Sequence, residues 1–423
     1  MSLKGNKFFP IKTATACQLK WAWSTVALVH GVTHSCHRVD PHTFDISSFN
    51  FHNTKEKIQQ RDIMLNGKWP KAGCQYCENI EKTGVGQSDR QFFLQIPNLS
   101  PQELETDITA TEVSPTILEV YIDNTCNLKC LYCIPDLSSR IDNELKKYGR
   151  FEKNGLILES TFKKNNNFDI IQEKFWEWMR TNANTLERFH LLGGEPFYQQ
   201  QFELFFEFFD ENPCPNLVFN VVTNLVITKD VLEKYINRFK KLIIEKRIKQ
   251  LDITASIDCW GPQQEFVRYG LDLIKWQENF KYLIQQRWIK LNINNTISIL
   301  TIKTLPELLK LLDEWTKDRK IEHHFSTAYP YPSYMSPYIL GPDEFADDFK
   351  KILSLLETDT WRGSQAKKYM QGIVATIQNS VYNKEETVKL LTFLDEIDRR
   401  RNTSWRELFP WLIKYEELCG IVA

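Results

Sequence analysis

"ILEVYIDNTCNLKCLYC", residues 117–133, runs an apolar stretch into three cysteines within eight positions, Cys126, Cys130 and Cys133. Apolar Ile117, Val120 and Ile122 make 117–125 read as a strand. The cysteines then lie on the loop leaving the strand's C-terminal end, where α/β sheets and barrels bind ligands. A loop can turn thiolates at the spacing C-x3-C-x2-C toward one point; a helix cannot. Structural zinc closes with four ligands, and an ordinary iron–sulfur cluster takes four cysteines. Three thiolates leave one iron of a four-iron cluster open to a small molecule. On spacing alone two other readings stay open, a zinc knuckle with a distant fourth ligand and three unrelated loop cysteines.

Composition narrows the setting. The chain has 423 residues, with 42% apolar and 25% charged residues, the profile of a soluble globular protein of two or three domains. Its 53 basic and 54 acidic residues leave a net charge of -1, so no electrostatic footprint for nucleic acid exists. The basic run "KKLIIEKRIK", 240–249, reads as the solvated end of a helix. The start "MSLKGNKFFPIKTA" lacks the apolar core of a secretory signal. The longest apolar stretch, "WAWSTVALVHGV" at 21–32, is shorter than the roughly 20 residues a membrane span needs and reads as a buried strand. A cytoplasmic location is expected, with no membrane partner. There, spaced cysteines read as metal or redox ligands before disulfides.

A second motif follows one β–α unit later. "FHLLGGEPFY", 189–198, is a short apolar strand followed by Gly193, Gly194, Glu195 and Pro196. The glycines let backbone approach a ligand, Glu195 offers a carboxylate to an ammonium group, and Pro196 fixes the turn. Together "CNLKCLYC" and "GGEP" resemble the radical S-adenosylmethionine enzymes. The resemblance implies that Cys126, Cys130 and Cys133 hold a [4Fe-4S] cluster whose open iron chelates S-adenosylmethionine. Reductive cleavage would then yield a 5′-deoxyadenosyl radical that abstracts hydrogen from a substrate. It further implies cofactor contacts from Gly193, Gly194 and Glu195. "LVFNVVTNL", 217–225, looks like the family's fourth strand, ending at Asn224 for the ribose. "QLDITASIDCWG", 250–261, looks like the fifth, with Ser256 and Asp258 at its end. Arg268 matches the arginine for the cofactor carboxylate, and Tyr132 the aromatic that packs on adenine. "IKLNINNTISIL", 289–300, looks like the sixth strand.

Helical patterns at 168–180, 201–211, 231–243 and 271–284 alternate with these strands. Strand–helix alternation implies a parallel sheet, and the resemblance implies an α/β fold with a partial (β/α)6, TIM-like barrel. Expected domains are 1–112, 113–330 and 331–423: a cysteine-rich N-terminal part, the barrel, and a C-terminal helical region with helices at 344–357, 366–379 and 385–401.

Cys17, Cys36, Cys74 and Cys77 form the other cysteine set, and four thiolates suit either structural zinc or a complete iron–sulfur cluster. "CQLKWAW", "SCHR" and "GCQYCENIEKTGVGQSDR" resemble the twitch domain, a short relative of the SPASM module, which carries an auxiliary [4Fe-4S] cluster. Here it precedes the barrel. Four cysteine ligands would close that cluster, which favours electron transfer or scaffolding over substrate ligation. Cys214, Cys259 and Cys419 are scattered, and none stands out as a hydrogen donor. The segment "GVGQSD", 84–89, reads as a turn; the insert at 146–168 as an exposed polar segment; and "YPYPSYMSPYILGP", 329–342, as a fixed linker, with a peptide channel as the other reading. His323 and His324 read as core or surface residues.

Relatives with auxiliary-cluster domains modify ribosomally made (RiPP) precursor peptides by cross-linking, epimerisation or excision, the last in spliceases. The resemblance thus implies a precursor peptide substrate, a separate leader-binding partner protein and an external electron donor. Two rivals are a radical enzyme acting on a small molecule and a non-enzymatic zinc or iron–sulfur protein.

Overall fold

The computed structural model describes residues 15–71, 73–83, 88–94, 111–319, 321–328, 332–357 and 364–421. In chain order its strands are β1 (Trp23–Ala27), β2 (Val32–His34), β3 (His42–Thr43), β4 (Ile117–Tyr121), β5 (Lys129–Cys130), β6 (Phe151–Lys153) and β7 (Leu156–Leu158). There follow β8 (Arg188–Leu192), β9 (Cys214–Thr223), β10 (Ile248–Ser256), β11 (Arg268–Tyr269), β12 (Lys290–Ile297) and β13 (Glu322–Thr327). Nine of them build one sheet in the order β13-β12-β10-β9-β8-β4-β1-β2-β3. From β4 to β13 six strands stand side by side in chain order, every pair parallel. Each link between them carries a helix: Phe168–Asn182, Phe202–Glu211, Lys229–Ile244, Leu273–Gln285 and Leu305–Trp315. The mixed α/β class and the parallel sheet agree with the sequence reading.

Two details differ from expectation. Counted from β4, the strands at 217–225, 250–261 and 289–300 are third, fourth and fifth, not fourth, fifth and sixth; β13 is the sixth. The apolar stretch at 21–32 does supply a strand, and β1 pairs in parallel with β4 from Trp23↔Ile117 to Ala27↔Tyr121. One sheet therefore runs across the expected boundary at 112.

Side chains alternate across the sheet. Leu118 and Val120, Phe189 and Leu191, Phe219 and Val221, and Leu251 and Ile253 are all buried in one large apolar core. The Phe189 and Phe219 rings stack with centroids 5.3 Å apart. On the opposite face a polar row crosses six strands in register, Thr25, Glu119, His190, Asn220, Asp252 and Lys290. An ordinary parallel sheet is apolar on both faces. This one keeps a face suited to water or a polar ligand.

The insert at 146–168 is largely exposed, as read from the sequence, and it carries regular structure. β6 and β7 form an antiparallel hairpin around Asn154 and Gly155, both at positive φ, as a type I′ turn demands. Asn154 Nδ2 donates to Thr392 Oγ1 at 2.9 Å, pinning the hairpin to a C-terminal helix. Past the six parallel strands come helices Ala346–Glu357, Ser364–Gln378 and Lys384–Arg401. Residues 329–331 of the proline- and tyrosine-rich stretch and 84–87 of "GVGQSD" lie outside the described residues. Met335, Ile339 and Leu340 are buried, so the rest of that stretch packs as a fixed connection. Among the described residues no helix is long and apolar enough to cross a membrane.

Candidate active site

The cysteine loop is held from four directions. β5, within it, pairs antiparallel with β11, setting Cys130 opposite Arg268. The Leu131 N–H donates to Val267 O at 2.8 Å. Asn127 Nδ2 donates to Val226 O at 2.9 Å, and Asn224 Nδ2 to Asn127 Oδ1 at 2.7 Å. Ser138 caps helix Ser139–Tyr148 and donates to Leu128 O at 2.8 Å. From the C-terminal region Arg401 Nη1 donates to Lys129 O at 3.0 Å while its Nη2 pairs with Glu144 at 2.9 Å.

The glycine turn meets this loop directly. Gly194 has φ +57, and a Cβ there would stand 2.2 Å from Thr125 O. The next N–H, of Glu195, donates to that same oxygen at 2.8 Å. A Cβ at Gly193 would strike the Tyr121 ring. What crowds both glycines is the chain itself: they let the turn seat against the cysteine loop.

Glu195 is buried and engaged. Its carboxylate accepts Thr223 Oγ1 at 2.7 Å, the Asn224 N–H at 2.6 Å and the Phe197 N–H at 3.2 Å. Those bonds fill three of about four lone-pair sites on a carboxylate. Burial pushes its pKa up to about 7 against the pull of the three donors. Leu225, two residues past Thr223, sits at φ +58, a strained place for a bulky residue. Buried Asn279 Nδ2 ties that turn down through Leu225 O and Ile227 O at 3.0 and 2.8 Å.

Asp258, Arg268 and Tyr132 form one buried cluster. Arg268 Nε and Nη2 donate to the two Asp258 oxygens at 2.8 and 2.9 Å, a bidentate pair. Tyr132 OH donates to Asp258 Oδ2 at 2.5 Å, and the Thr296 N–H to Oδ1 at 2.9 Å. Burial, more than the neighbouring charges, sets the Tyr132 hydroxyl well above its usual range. Ser256, at the end of β10, is buried nearby in sequence, opposite Asn294. Sequence reading named Tyr132, Glu195, Asn224, Asp258 and Arg268; it missed Asn127, Ser138, Glu144 and Arg401. Of these only Ser138 carried a local signal, a helix N-cap.

All ten cysteines are free thiols. Cys126, Cys130 and Cys133 are neighbours: Cys130 raises the pKa of Cys126, and both raise that of Cys133, on top of burial, which takes Cys126 to about 12. Such buried thiols are inert until a cation favours the thiolate. Cys17, Cys36, Cys74 and Cys77 are neighbours in the same sense, and burial takes Cys17 to about 12. Among the described residues no three His, Cys, Asp or Glu side chains stand in metal-binding geometry. The donor sets nonetheless fit thiolate-bound metal in chemistry and number.

The two sets lie at opposite ends of the sheet. Cys126 follows the C-terminal end of β4, whereas Cys17 precedes the start of β1, which runs beside β4 in the same direction. β4, five residues at about 3.3 Å each, is about 16 Å long. Cys17 and Cys74 belong to a separate apolar cluster with Trp21 and Met64, against which Cys36, Trp69 and Val113 pack. Gly73, at φ +73, lies so close to Arg38 O that a Cβ would stand 1.8 Å from it. This contact draws the Cys74–Cys77 turn onto the loop after Cys36. Of the nearby histidines, His34 hydrogen-bonds the Cys36 backbone, and His37 Nε2 is 3.9 Å from Glu119.

No protein-family model and no curated protein matches the chain. Solved structures resemble it loosely. Native anSMEcpe with bound AdoMet and Kp18Cys peptide shares 18% identity at a TM-score of 0.36, covering 63% of each chain. Streptococcus suis SuiB bound to precursor peptide SuiA shares 12% at 0.38, covering 80% of this chain and 69% of that one. SuiB bound to S-adenosylmethionine shares 15% at 0.39, covering 85% and 70%. A likeness this loose carries nothing about chemistry.

Proposed function

We propose that the chain is a radical S-adenosylmethionine enzyme that modifies a ribosomally made precursor peptide. The observation that supports this most is the strapping of the C-x3-C-x2-C loop to β11 and to the Gly194 turn. It gathers three thiols, Glu195, Asn224, Asp258, Arg268 and Tyr132 around the C-terminal ends of neighbouring parallel strands. Cys126, Cys130 and Cys133 would hold a [4Fe-4S] cluster. When bound, that cluster supplies the electron that cleaves S-adenosylmethionine to a 5′-deoxyadenosyl radical.

In this reading the chain's own residues bind, orient and exclude water. Glu195 would meet the cofactor ammonium through its remaining lone-pair site. Arg268, with two of its five N–H donors on Asp258, would offer others to the cofactor carboxylate. Asn224 would meet the ribose and Tyr132 the adenine, with Ser256 and the Gly193–Gly194 backbone beside them. Cys17, Cys36, Cys74 and Cys77 would hold a closed auxiliary [4Fe-4S] cluster in a twitch-like N-terminal region. Its place at the far end of the sheet suits electron transfer or scaffolding. The modification would be a cross-link, an epimerisation or, as in spliceases, an excision, with a leader-binding partner and an external electron donor.

Anaerobically reconstituted protein should bind about eight irons per chain and form 5′-deoxyadenosine on addition of S-adenosylmethionine and reductant. Replacing Cys126, Cys130 and Cys133 by Ala should abolish the product and halve the iron. A spectrum unmoved by S-adenosylmethionine, or product from the triple variant, would overturn the reading. A mass change in a precursor peptide tests the substrate; turnover of small molecules alone would replace it.

A further inference from the structure

We propose that Lys20, buried beside the N-terminal thiols, is the built-in counter-charge of the anionic metal centre those thiols hold, and that it raises the centre's reduction potential. The proposal rests on the reading of Cys17, Cys36, Cys74 and Cys77 as ligands given above.

Lys20 lies on helix Gln18–Ala22, which Cys17 opens, and is 2% exposed. It lies within electrostatic reach of both Cys17 and Cys74. Its Nζ donates to Gln60 Oε1 at 2.6 Å, a neutral acceptor. Behind it stand two further buried basic side chains, the pKa of each lowered by burial. Lys57 Nζ donates to Ser24 Oγ, Thr33 Oγ1 and Phe51 O at 2.7, 2.8 and 2.9 Å. Arg61 donates to Lys20 O at 2.7 Å, Thr111 O at 2.8 Å and His52 O at 2.9 Å. Among the described residues no carboxylate accepts a hydrogen bond from any of the three; Glu112 acts on Arg61 only through its field. The acids nearest the thiols are taken, Glu78 by Lys82, Glu81 by Arg90 and Asp89 by Arg38.

A buried ammonium without an anion is costly. Four thiolates around a divalent metal or a [4Fe-4S]2+ core carry a net charge of about minus two, and at low dielectric the attraction to a nearby cation is strong. Two orphaned donors point to the same kind of occupant. Gln18 Nε2 and Ser35 Oγ, beside Cys17 and Cys36 in sequence, are buried with no hydrogen-bond partner among the described residues. Metal-bound sulfur accepts such donors. A fixed positive charge favours the more negative, reduced form of a redox centre, which is why Lys20 raises the potential.

The test uses the full chain with Cys126, Cys130 and Cys133 replaced by Ser, leaving the N-terminal set as the iron site. Iron per chain, the midpoint potential from a redox titration followed by electron paramagnetic resonance, and apo and loaded melting temperatures are measured for this parent. The same is done with Lys20→Met and Lys20→Arg. The proposal expects unchanged iron, a more negative midpoint in Lys20→Met and recovery in Lys20→Arg. It also expects the apo form of Lys20→Met to melt higher than the apo parent, because an unpaired buried charge has gone. An unmoved midpoint at equal iron, or equal loss of stability in apo and loaded forms, overturns it and leaves the ligand reading standing. A parent that takes up no iron overturns the ligand reading itself, and the counter-charge with it.

Discussion

The two cysteine groups solve the burial of thiols in opposite ways. The loop at 126–133 sits beside the Asp258–Arg268 ion pair and the buried carboxyl of Glu195, each already hydrogen-bonded inside the chain. The N-terminal set sits in an apolar shell with basic side chains behind it, to which no carboxylate among the described residues is hydrogen-bonded. Mixed charge leaves the first site able to receive a zwitterionic ligand such as an amino acid group. At the second the nearby acids Glu78, Glu81 and Asp89 are each paired with a cation, while Lys20 faces only the neutral Gln60, which suits it to an anion that never leaves. Each site nevertheless depends on one glycine that allows two loops to touch.

Those glycines should show the largest effects. Gly194→Ala drives a Cβ into Thr125 O and Gly73→Ala into Arg38 O, both contacts with backbone that cannot swing away. Each substitution should cost at least about 4 kcal/mol, read from chemical denaturation. The iron lost should differ by site: Gly194→Ala empties the 126–133 loop and Gly73→Ala the N-terminal set. Costs below about 1 kcal/mol would show that neither contact shapes its loop.

Charge separates the groups next. Arg268→Met leaves Asp258 buried with only Tyr132 and the Thr296 N–H as partners. The expected loss is about 3–5 kcal/mol, the usual result of breaking a buried pair. Adding Asp258→Asn should restore much of it, giving a coupling in the double-mutant cycle. Additive losses would mean the pair is held apart by water.

Much of this contrast could be read from the sequence, and the parts that could not share a cause. Helices such as Phe168–Asn182 and Lys229–Ile244 announce themselves by apolar period, and the strands between them follow. The cysteine spacing and the glycine turn are local and were visible. The joining of β1 to β4 was not, because a strand pair carries no sign of its partner across a long loop. Arg401 reaches Lys129 O over 272 residues, and no spacing rule spans that. Glu195 looked like a free ligand because two of its three donors, Thr223 Oγ1 and the Asn224 N–H, come from the end of β9, which the motif does not encode. The hairpin at Asn154–Gly155 is the reverse case: the dipeptide between "RFEK" and "LILE" is a turn signal, overlooked under the polar composition around it.

The smallest expected effect is one of pH, and it has opposite sign in the two regions. Glu195 keeps its proton up to about pH 7 in the folded chain because burial disfavours its charge. An unfolded glutamate loses its proton near pH 4.3. Between those values the folded state binds more protons, so stability falls as pH rises, by on the order of 3 kcal/mol over the window. The contribution is fully present below the lower value and gone above the upper. Beside the N-terminal thiols, burial and the charge of His37 push His34 down to about 3. There the unfolded state binds more protons between about pH 6.5 and 3, so stability falls as pH drops. Urea denaturation of Glu195→Gln and His34→Gln, each subtracted from the parent across pH 4–8, should give slopes of opposite sign. Slopes of one sign would mean that Glu195 is ionised in the folded chain, held so by its three donors, and that the loop at 126–133 carries a net negative neighbour after all.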